Sequence, residues 1–310
     1  MRVLIVGLGQ RGKVHKNFLG EEVVATVDKL NSSATYRDLK NVPLESFDAA
    51  VVATDEDSKY DVVKYLISNS KHVLVEKPFF LSSSQAKTIL DAAEENNCLI
   101  KVAYNHDFEY PVTEVFETIS KTGSNIYSVQ IEYRNGTAEN IRNNPWRDSK
   151  FAVIHDLLPH VLSLIYKYFS EEVTWTACLA SNKENQGSDN CFILGKIGEI
   201  DLFIFISYLS WQNSFKLEIN SADATYKIDG LGKWLGSRME IHNRQSPPSI
   251  PTIYSQEFPK IDNSILDMWN CFKEEVKLGF NPSAFSKEAW ILKNVSAVEK
   301  LILSKSSSNS

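Results

Sequence analysis

The residues best suited to chemistry stand close to the start of the chain. Gly7-Leu8-Gly9-Gln10-Arg11-Gly12 follows directly on the apolar run Arg2–Val6 and precedes a helical stretch. In a strand–turn–helix setting the first glycine permits the tight turn. The second lets backbone approach a pyrophosphate, and the third lets helix pack on strand. Free N–H groups and the dipole at the helix start then favour an anion. Asp28 closes the next strand pattern, 19 residues after Gly9. A carboxylate there accepts the ribose hydroxyls of an adenosine and repels a 2′-phosphate, which favours NAD over NADP. The adjacent Lys29 tempers that preference, so NADP stays possible.

A second group lies at Val73-Leu74-Val75-Glu76-Lys77-Pro78, where two charged residues follow an apolar strand. Ligands of open α/β sheets bind beyond the carboxyl ends of the strands, so Lys77 is expected to point into the cofactor crevice. A partly desolvated lysine near other ionisable groups is suited to proton transfer. A solvated turn lysine is the plain alternative.

These side chains need a scaffold, and the hydrophobic pattern supplies one. Strands are expected at Arg2–Val6, Val23–Val27, Ala49–Ala53, His72–Glu76 and Leu99–Ala103, with helical patterns at Tyr60–Ser68 and Ser84–Asn96 between them. Near-continuous apolar strands alternating with helices indicate βαβ units and a doubly wound parallel sheet. Ser82 to Ser84 offer N-caps for the second of these helices.

After about Lys121 the pattern changes to consecutive strands with short links. They are expected at Ile126–Arg134, Glu172–Ala180, Cys191–Ile197, Ile200–Leu209, Ser214–Asn220 and Ala224–Ile228, interrupted by one helix at Val153–Tyr168. Hairpin-length links imply a mostly antiparallel sheet. Two helical stripes follow, Ile265-Met268-Trp269-Phe272-Val276 and Ile291-Val295-Val298-Ile302, and the Ser-rich tail 304–310 is expected to be disordered. The expected class is α/β: a Rossmann domain over residues 1–121, then an α+β domain over 122–310 with a large, open, mostly antiparallel sheet.

Taken together, Gly7–Gly12, Asp28, Val52-Ala53-Thr54 and above all Glu76-Lys77-Pro78 resemble the glucose–fructose oxidoreductase/inositol dehydrogenase (Gfo/Idh/MocA) family. Asn281-Pro282-Ser283 and its flanking helices also resemble a typical family ending. The resemblance implies a nicotinamide-dependent dehydrogenase whose second domain binds substrate. It implies that Thr54, Glu76 and Asn105 join the glycine loop, Asp28 and Lys77 in holding the cofactor. The family's D-x-x-x-H helix reads here Asp156-Leu157-Leu158-Pro159-His160, a spacing that puts both side chains on one helix face. By resemblance His160 works with Lys77 on the substrate hydroxyl proton while Asp156 orients or binds, and this requires residues 77 and 160 to meet at the same carbon. Histidine titrates near neutrality, which suits that task. His155 is expected to point elsewhere. Trp146-Arg147 resembles a substrate-loop pair, the ring covering a sugar face and the guanidinium binding polar groups.

The chain departs from the family pattern at several points. Lys150-Phe151-Ala152 replaces a glycine triplet before Asp156, and Asp55-Glu56 replaces a Pro-Asn pair. His106 stands where a basic residue is common after the fifth strand's Asn, and Ser163 where an acidic one is. The segment Gly230–Gly236, with Lys233 and Trp234, reads as a hairpin or as a sugar-contacting loop.

The chain carries 33 Lys and Arg against 39 Asp and Glu in 310 residues, for a net charge of −6. That balance disfavours nucleic acid or an anionic membrane as main partner. No apolar run reaches the length that spans a bilayer. Four scattered cysteines without a C-x-x-C pair give no zinc or disulfide framework, no metal is expected, and a reduced, cytoplasmic setting fits. The expectation is an NAD(P)-dependent oxidoreductase acting on a secondary alcohol or ketone of a sugar or nucleotide sugar, assembled as a homodimer or homotetramer. A dinucleotide-binding regulator without turnover is the alternative, and reduction of an imine or tetrapyrrole double bond is a third possibility.

Overall fold

A computed structural model describes the chain except Trp146, Ser170, Pro247, Pro248, Ala284 and residues 308–310, and except the side chains of 305–307. The described residues form two compact units, Met1–Asn105 with Ser264–Trp290, and His106–Asn263 with Ile291–Ser310.

In the first unit five strands, β1 (Val3–Val6), β2 (Val23–Val27), β3 (Ala49–Val52), β4 (His72–Glu76) and β5 (Ile100–Ala103), pair in parallel in the order β2-β1-β3-β4-β5. β1 and β3 are buried at every position, as strands covered on both faces must be. The connections are α1 (Gln10–Leu19), α2 (Glu56–Ser68) and α3 (Ser83–Glu95). Asp55 Oδ1 accepts from the Ser58 amide at the start of α2. Ser82 and Gln85 form a reciprocal capping box on α3, which selects Ser82 among the three serine candidates. The chain leaves β1 toward β2 and returns over it to β3. The order therefore reverses between the carboxyl ends of β1 and β3, where ligands of doubly wound sheets bind.

The second unit comprises α4 (Tyr110–Thr122), β6 (Ile126–Arg134), α5 (Ala138–Arg142), α6 (Ala152–Tyr168), β7 (Val173–Ser181), β8 (Asn190–Ile197), β9 (Ile200–Ser207), β10 (Ser214–Ser221), β11 (Ala224–Leu231), β12 (Gly236–Asn243) and β13 (Thr252–Phe258). Its sheet has the order β13-β12-β11-β10-β6-β9-β8-β7. Only the β6–β9 pairing is parallel. α6 packs on β6, β8 and β9 and is buried almost all round.

The compact units do not divide at residue 121. The stripe Val112-Val115-Phe116-Ile119 of α4 is buried within the second unit, with Phe116 stacked on Tyr168 at 3.8 Å. Helix α7 (Ser264–Val276) returns to the first unit. There Lys273 pairs with Glu22 at 2.8 Å and Glu275 with Lys101 at 2.5 Å. The first turns of the last helix, α8 (Ser286–Ser307), belong to the same unit. Such contacts join residues far apart in sequence, so periodicity does not reveal them.

Strands β12 and β13 were not expected. β13 has no buried residue, and in β12 only Met239 and Ile241 alternate with Arg238, Glu240 and His242, too few apolar positions to mark a strand. Over 304–307 the expected disorder is corrected as well, because α8 continues to Ser307, while 308–310 lie outside the described residues. Extending an established helix by a few residues requires no new nucleus. Cys178 and Cys191 are thiols whose sulfurs approach to 3.2 Å on neighbouring strands.

Candidate active site

The glycine loop follows β1, and its three glycines meet different constraints. Gly7 has φ +95°, and a Cβ there would lie 2.6 Å from the Ala53 carbonyl oxygen. A Cβ on Gly12 would lie 1.8 Å from the Gly7 carbonyl oxygen, so helix and turn touch through backbone. Gly9 faces open space within 4 Å of its Cβ direction. It is the N-cap of α1, and no side chain caps that end. The first amides of α1 thus lack a side-chain acceptor beside an open glycine, which fits the pyrophosphate of a dinucleotide. Gln10 is exposed at this helix start and Leu8 is buried.

Asp28 lies beside this loop, and its carboxylate organises backbone. Oδ2 accepts from the Leu8 amide at 2.7 Å, and Oδ1 from the Leu30 and Asn31 amides at 2.9 and 2.7 Å. Burial pushes this carboxyl up, but those three amides and the Arg37 charge outweigh it and hold it below the usual range. The group stays ionised, and further lone-pair positions on its two oxygens suit ribose hydroxyls.

Glu76, at the end of β4, is buried and couples that strand to α1. Its Oε1 accepts from Arg11 Nε at 2.9 Å and from His15 Nε2 at 2.7 Å. Burial raises the carboxyl, yet His15 and Arg11 together bring it down to about 2. Glu76 and Arg11 therefore brace the glycine loop. Lys77 follows, half-buried beyond the carboxyl end of β4, with a cis bond to Pro78. Thr54 lies beyond β3 with its hydroxyl toward the Asp55 carbonyl at 3.3 Å. Asn105 is buried and donates to Ser264 Oγ at 2.9 Å. The glycine loop, Asp28, Thr54, Glu76 and Lys77 thus share one end of the parallel sheet.

In the second unit α6 carries Asp156 and His160, with Pro159 between them. Proline has no N–H, so Pro159 donates no helical hydrogen bond to the turn before it. Asp156 Oδ2 accepts from Tyr208 Oη at 3.2 Å and lies 3.5 Å from an Arg147 guanidinium nitrogen. Tyr208 is buried and also donates to the Ala152 carbonyl at 2.9 Å. Burial foremost, then the Asp156 charge, raises its phenol well above the ordinary value, against a smaller opposing pull from Arg147, so it remains a donor. Arg147 also reaches Asn140 Oδ1 at 3.1 Å. Trp146 lies outside the described residues. His155 points away toward α8, 2.5 Å from Glu299 Oε1.

His160 packs among aromatic and cationic groups that sequence reasoning did not assign to the site. Its ring lies 4.6 Å from that of His106 and 5.8 Å from that of Tyr133. Lys233 Nζ, His106 Nε2 and Tyr133 Oη stand 3.1–3.2 Å from one another, and Lys233 also lies 4.8 Å from the Trp234 ring centroid. Behind them His106 Nδ1 is 3.2 Å from Glu109 Oε1. Burial pushes Glu109 up to about 7, with Asp262 adding to that and Lys233 and the Gly232 amide opposing it. Proton-bearing groups and a flat ring therefore surround His160, an assembly able to hold hydroxyl groups and shuttle protons. The unusual His106 and the Gly230–Gly236 segment were the available sequence signals, but nothing in their spacing joined them. Ser163 donates to Asp107 Oδ1 at 2.6 Å, so a carboxylate does stand beside that position.

Residues 1–104 match a family described as an oxidoreductase family with an NAD-binding Rossmann fold, Gfo/Idh/MocA, which bears out the resemblance read from the motifs. Among curated proteins, the chain is 20% identical over 287 residues to scyllo-inositol 2-dehydrogenase (NADP(+)) IolW of Bacillus subtilis, covering 86% of this chain and 76% of that protein. Among solved structures, it resembles UDP-N-acetylglucosamine 3-dehydrogenase GnnA from Acidithiobacillus ferrooxidans with TM-score 0.80 at 14% identity, covering 97% of each chain. It also resembles an oxidoreductase from Agrobacterium radiobacter in complex with NAD+, L-tartaric acid and magnesium, with TM-score 0.78 at 16% identity, covering 97% of this chain and 96% of the other. At these identities the structural likeness establishes the fold: a parallel-sheet Rossmann unit and a unit with a mostly antiparallel open sheet.

Proposed function

Residues 1–104 belong to the Gfo/Idh/MocA oxidoreductases with their NAD-binding Rossmann fold, and from that premise we propose that the chain interconverts a secondary alcohol and a ketone on a sugar or nucleotide-linked sugar. When bound, the nicotinamide nucleotide supplies the hydride acceptor or donor. Gly7 and Leu8 shape the turn, their own amides held by the Val27 carbonyl and by Asp28, while Gly9, Gln10, Arg11 and Gly12 offer backbone amides to its pyrophosphate. Asp28 takes the ribose, and Thr54, Glu76, Lys77 and Asn105 complete the cradle. The retained charge on Asp28 favours NAD over NADP.

Lys77 and His160 handle the hydroxyl proton. Tyr208 and Arg147 hold Asp156, which orients the substrate together with His160. Lys233, Tyr133 and Trp234 give the sugar a hydrogen-bonding edge and a flat face, and Arg147 offers its guanidinium to polar groups of the substrate. The observation that carries this reading is the uncapped, open start of α1 at the switch point, with Lys77 at the same sheet end. The curated relative's action on an inositol and the structural neighbour's on a UDP-sugar support the substrate class.

We assign the chain to a homodimer or homotetramer through one face of the open sheet. Cross-strand neighbours Leu179, Phe192 and Phe205 stand on that face beside Leu194 and Phe203, and four of the five are exposed. Light scattering on the eluting peak checks this, and a monomer at micromolar concentration would contradict it. No helix among the described residues is long and apolar enough to cross a membrane.

The central experiment incubates the protein with NAD+ or NADP+ and a panel of inositols, aldoses and UDP-sugars, following nicotinamide absorbance. Turnover of at least one polyol, abolished in Lys77→Ala while NADH still binds through the glycine loop and Asp28 with its affinity lowered by no more than a few-fold, is the expected outcome. Tight binding without turnover across the panel would favour the regulator instead. Near-normal kcat in Lys77→Ala would remove the proton-transfer role.

A further inference from the structure

Behind Lys77 the first unit holds polar side chains that neither dinucleotide binding nor proton transfer explains. Lys59, on the first turns of α2, is only 4% exposed. Lysine is seldom buried without a specific partner. Here the partner is the carbonyl of Pro78, which accepts from Nζ at 2.7 Å. That carbonyl belongs to the residue directly after Lys77. On the following residue, the Phe79 amide favours the charged form of Glu288, a buried residue of α8. Tyr104, just past β5, donates to Glu288 Oε2 at 2.8 Å. Two helices of one unit, α2 and α8, thus hold the segment that carries Lys77, and Tyr104 fixes Glu288 in turn.

The charges around Lys59 come from each neighbouring element: Glu76 on β4, Glu56 on its own helix, Glu288 on α8 and Lys77 on the turn. Burial foremost brings its ammonium down to about 8, against the pull of those carboxylates. An apolar side chain of similar length would fill the same space without desolvating a charge. It would also take the Lys59 donor from the half-buried Pro78 carbonyl. Packing alone gives no reason for a lysine at this position.

We propose that Lys59 is a positioning residue for Lys77: its hydrogen bond to the Pro78 carbonyl fixes the turn and so the direction of the Lys77 amine. The proposal rests on the reading of Lys77 as the proton-transfer group. Its consequence for the aim of Lys77 is measurable without any substrate.

The test uses the full chain and its variants Lys59→Met, Lys59→Arg and Lys59→Gln. Each is methylated reductively with formaldehyde and a borane reductant at several pH values. Peptide mass spectrometry then gives the rate at Lys77 relative to the exposed Lys13 and Lys121. The expected result is a relative rate at Lys77 changed at least three-fold in Lys59→Met, with an altered pH profile. Lys59→Arg, which keeps a charged donor, stays within two-fold of the parent. On any substrate that the parent turns over, Lys59→Met lowers kcat about ten-fold and leaves the KM for the nucleotide unchanged. An unchanged Lys77 rate and pH profile in folded Lys59→Met overturns the proposal. Should that variant not fold, Lys59→Gln is read by the same criterion. A parent protein without turnover removes the dehydrogenase reading, and the labelling comparison still decides the positioning role.

Discussion

His15 Nε2 and Glu76 Oε1 lie 2.7 Å apart, in full burial, although 61 residues separate them in the chain. The pair fastens the helix that follows the glycine turn to the strand that ends at Glu76, directly before Lys77. Removing the carboxylate leaves Arg11 and His15 without their shared acceptor. Glu76→Ala is expected to destabilise the protein by about 3–5 kcal/mol. Because the folded-state carboxyl sits near 2, below its ordinary value of 4.5, its contribution is full above about 4.5 and is lost as pH falls toward 2. Urea titrations of parent and variant at pH 7 and pH 3 check this, the difference between them narrowing at the lower pH.

The glycines of the loop separate folding from binding. Gly12→Ala places a carbon 1.8 Å from a backbone oxygen and is expected to lower stability by about 3 kcal/mol. A Cβ on Gly9 meets open space, so Gly9→Ala should cost no more than the loss of a favoured N-cap residue, about 1 kcal/mol, while NADH affinity drops at least ten-fold. Thermal melts and fluorescence titration read the two effects independently. Equal loss of Tm in both variants would contradict the assignment of Gly9 to the pyrophosphate.

Asp28 contributes a charge as well as hydrogen bonds. Asp28→Asn keeps an acceptor for the nearby amides but removes the negative charge. NADH affinity is expected to fall roughly ten-fold, ~1.4 kcal/mol, while NADPH affinity falls less or rises. A variant that keeps the parent's preference between the two nucleotides would show that discrimination arises elsewhere.

Tyr208 holds Asp156 through its hydroxyl, 3.2 Å from Oδ2. Tyr208→Phe keeps the ring and removes the donor. The expected result is a kcat lowered by about ten-fold, on the scale of one charge-assisted hydrogen bond, with nucleotide binding intact. Steady-state kinetics on a turned-over substrate decide it, and an unchanged kcat would make the contact purely structural.

Two buried groups set an unusual dependence of stability on pH. Burial raises Glu288 from 4.5 to about 7. Between these values the folded state keeps a proton that the unfolded chain has released, so stability falls as pH rises through that window. Lys59 is lowered from 10.5 to about 8. Across that upper window the unfolded chain holds the extra proton, and stability recovers as pH rises. Tm is expected to pass through a minimum between about 7 and 8. Glu288→Gln should flatten the acid limb and Lys59→Met the alkaline one. A profile indifferent to both substitutions would refute this account.

Local chemistry made much of the first unit legible. A tight turn, an apolar strand and a carboxylate at a strand end each depend on a few adjacent residues, so Gly7–Gly12, Asp28 and Lys77 stood out before any fold was known. The spacing of Asp156 and His160 on one helix face was legible for the same reason. The tertiary structure decided which groups keep company with them. Tyr208 reaches Asp156 from the end of β9, and Lys233 reaches His106 and Tyr133 from the turn after β11. The sequence separations are 52 residues for the first contact and 127 and 100 for the other two. Pairings of that range follow from sheet register and helix packing, which the pattern of single residues does not encode. The edge strand β13 and its neighbour β12 bury few residues, so their apolar positions are too few to mark them as strands. The unit boundary moved because α7 finds its partners, Glu22 and Lys101, on elements formed more than 170 residues earlier.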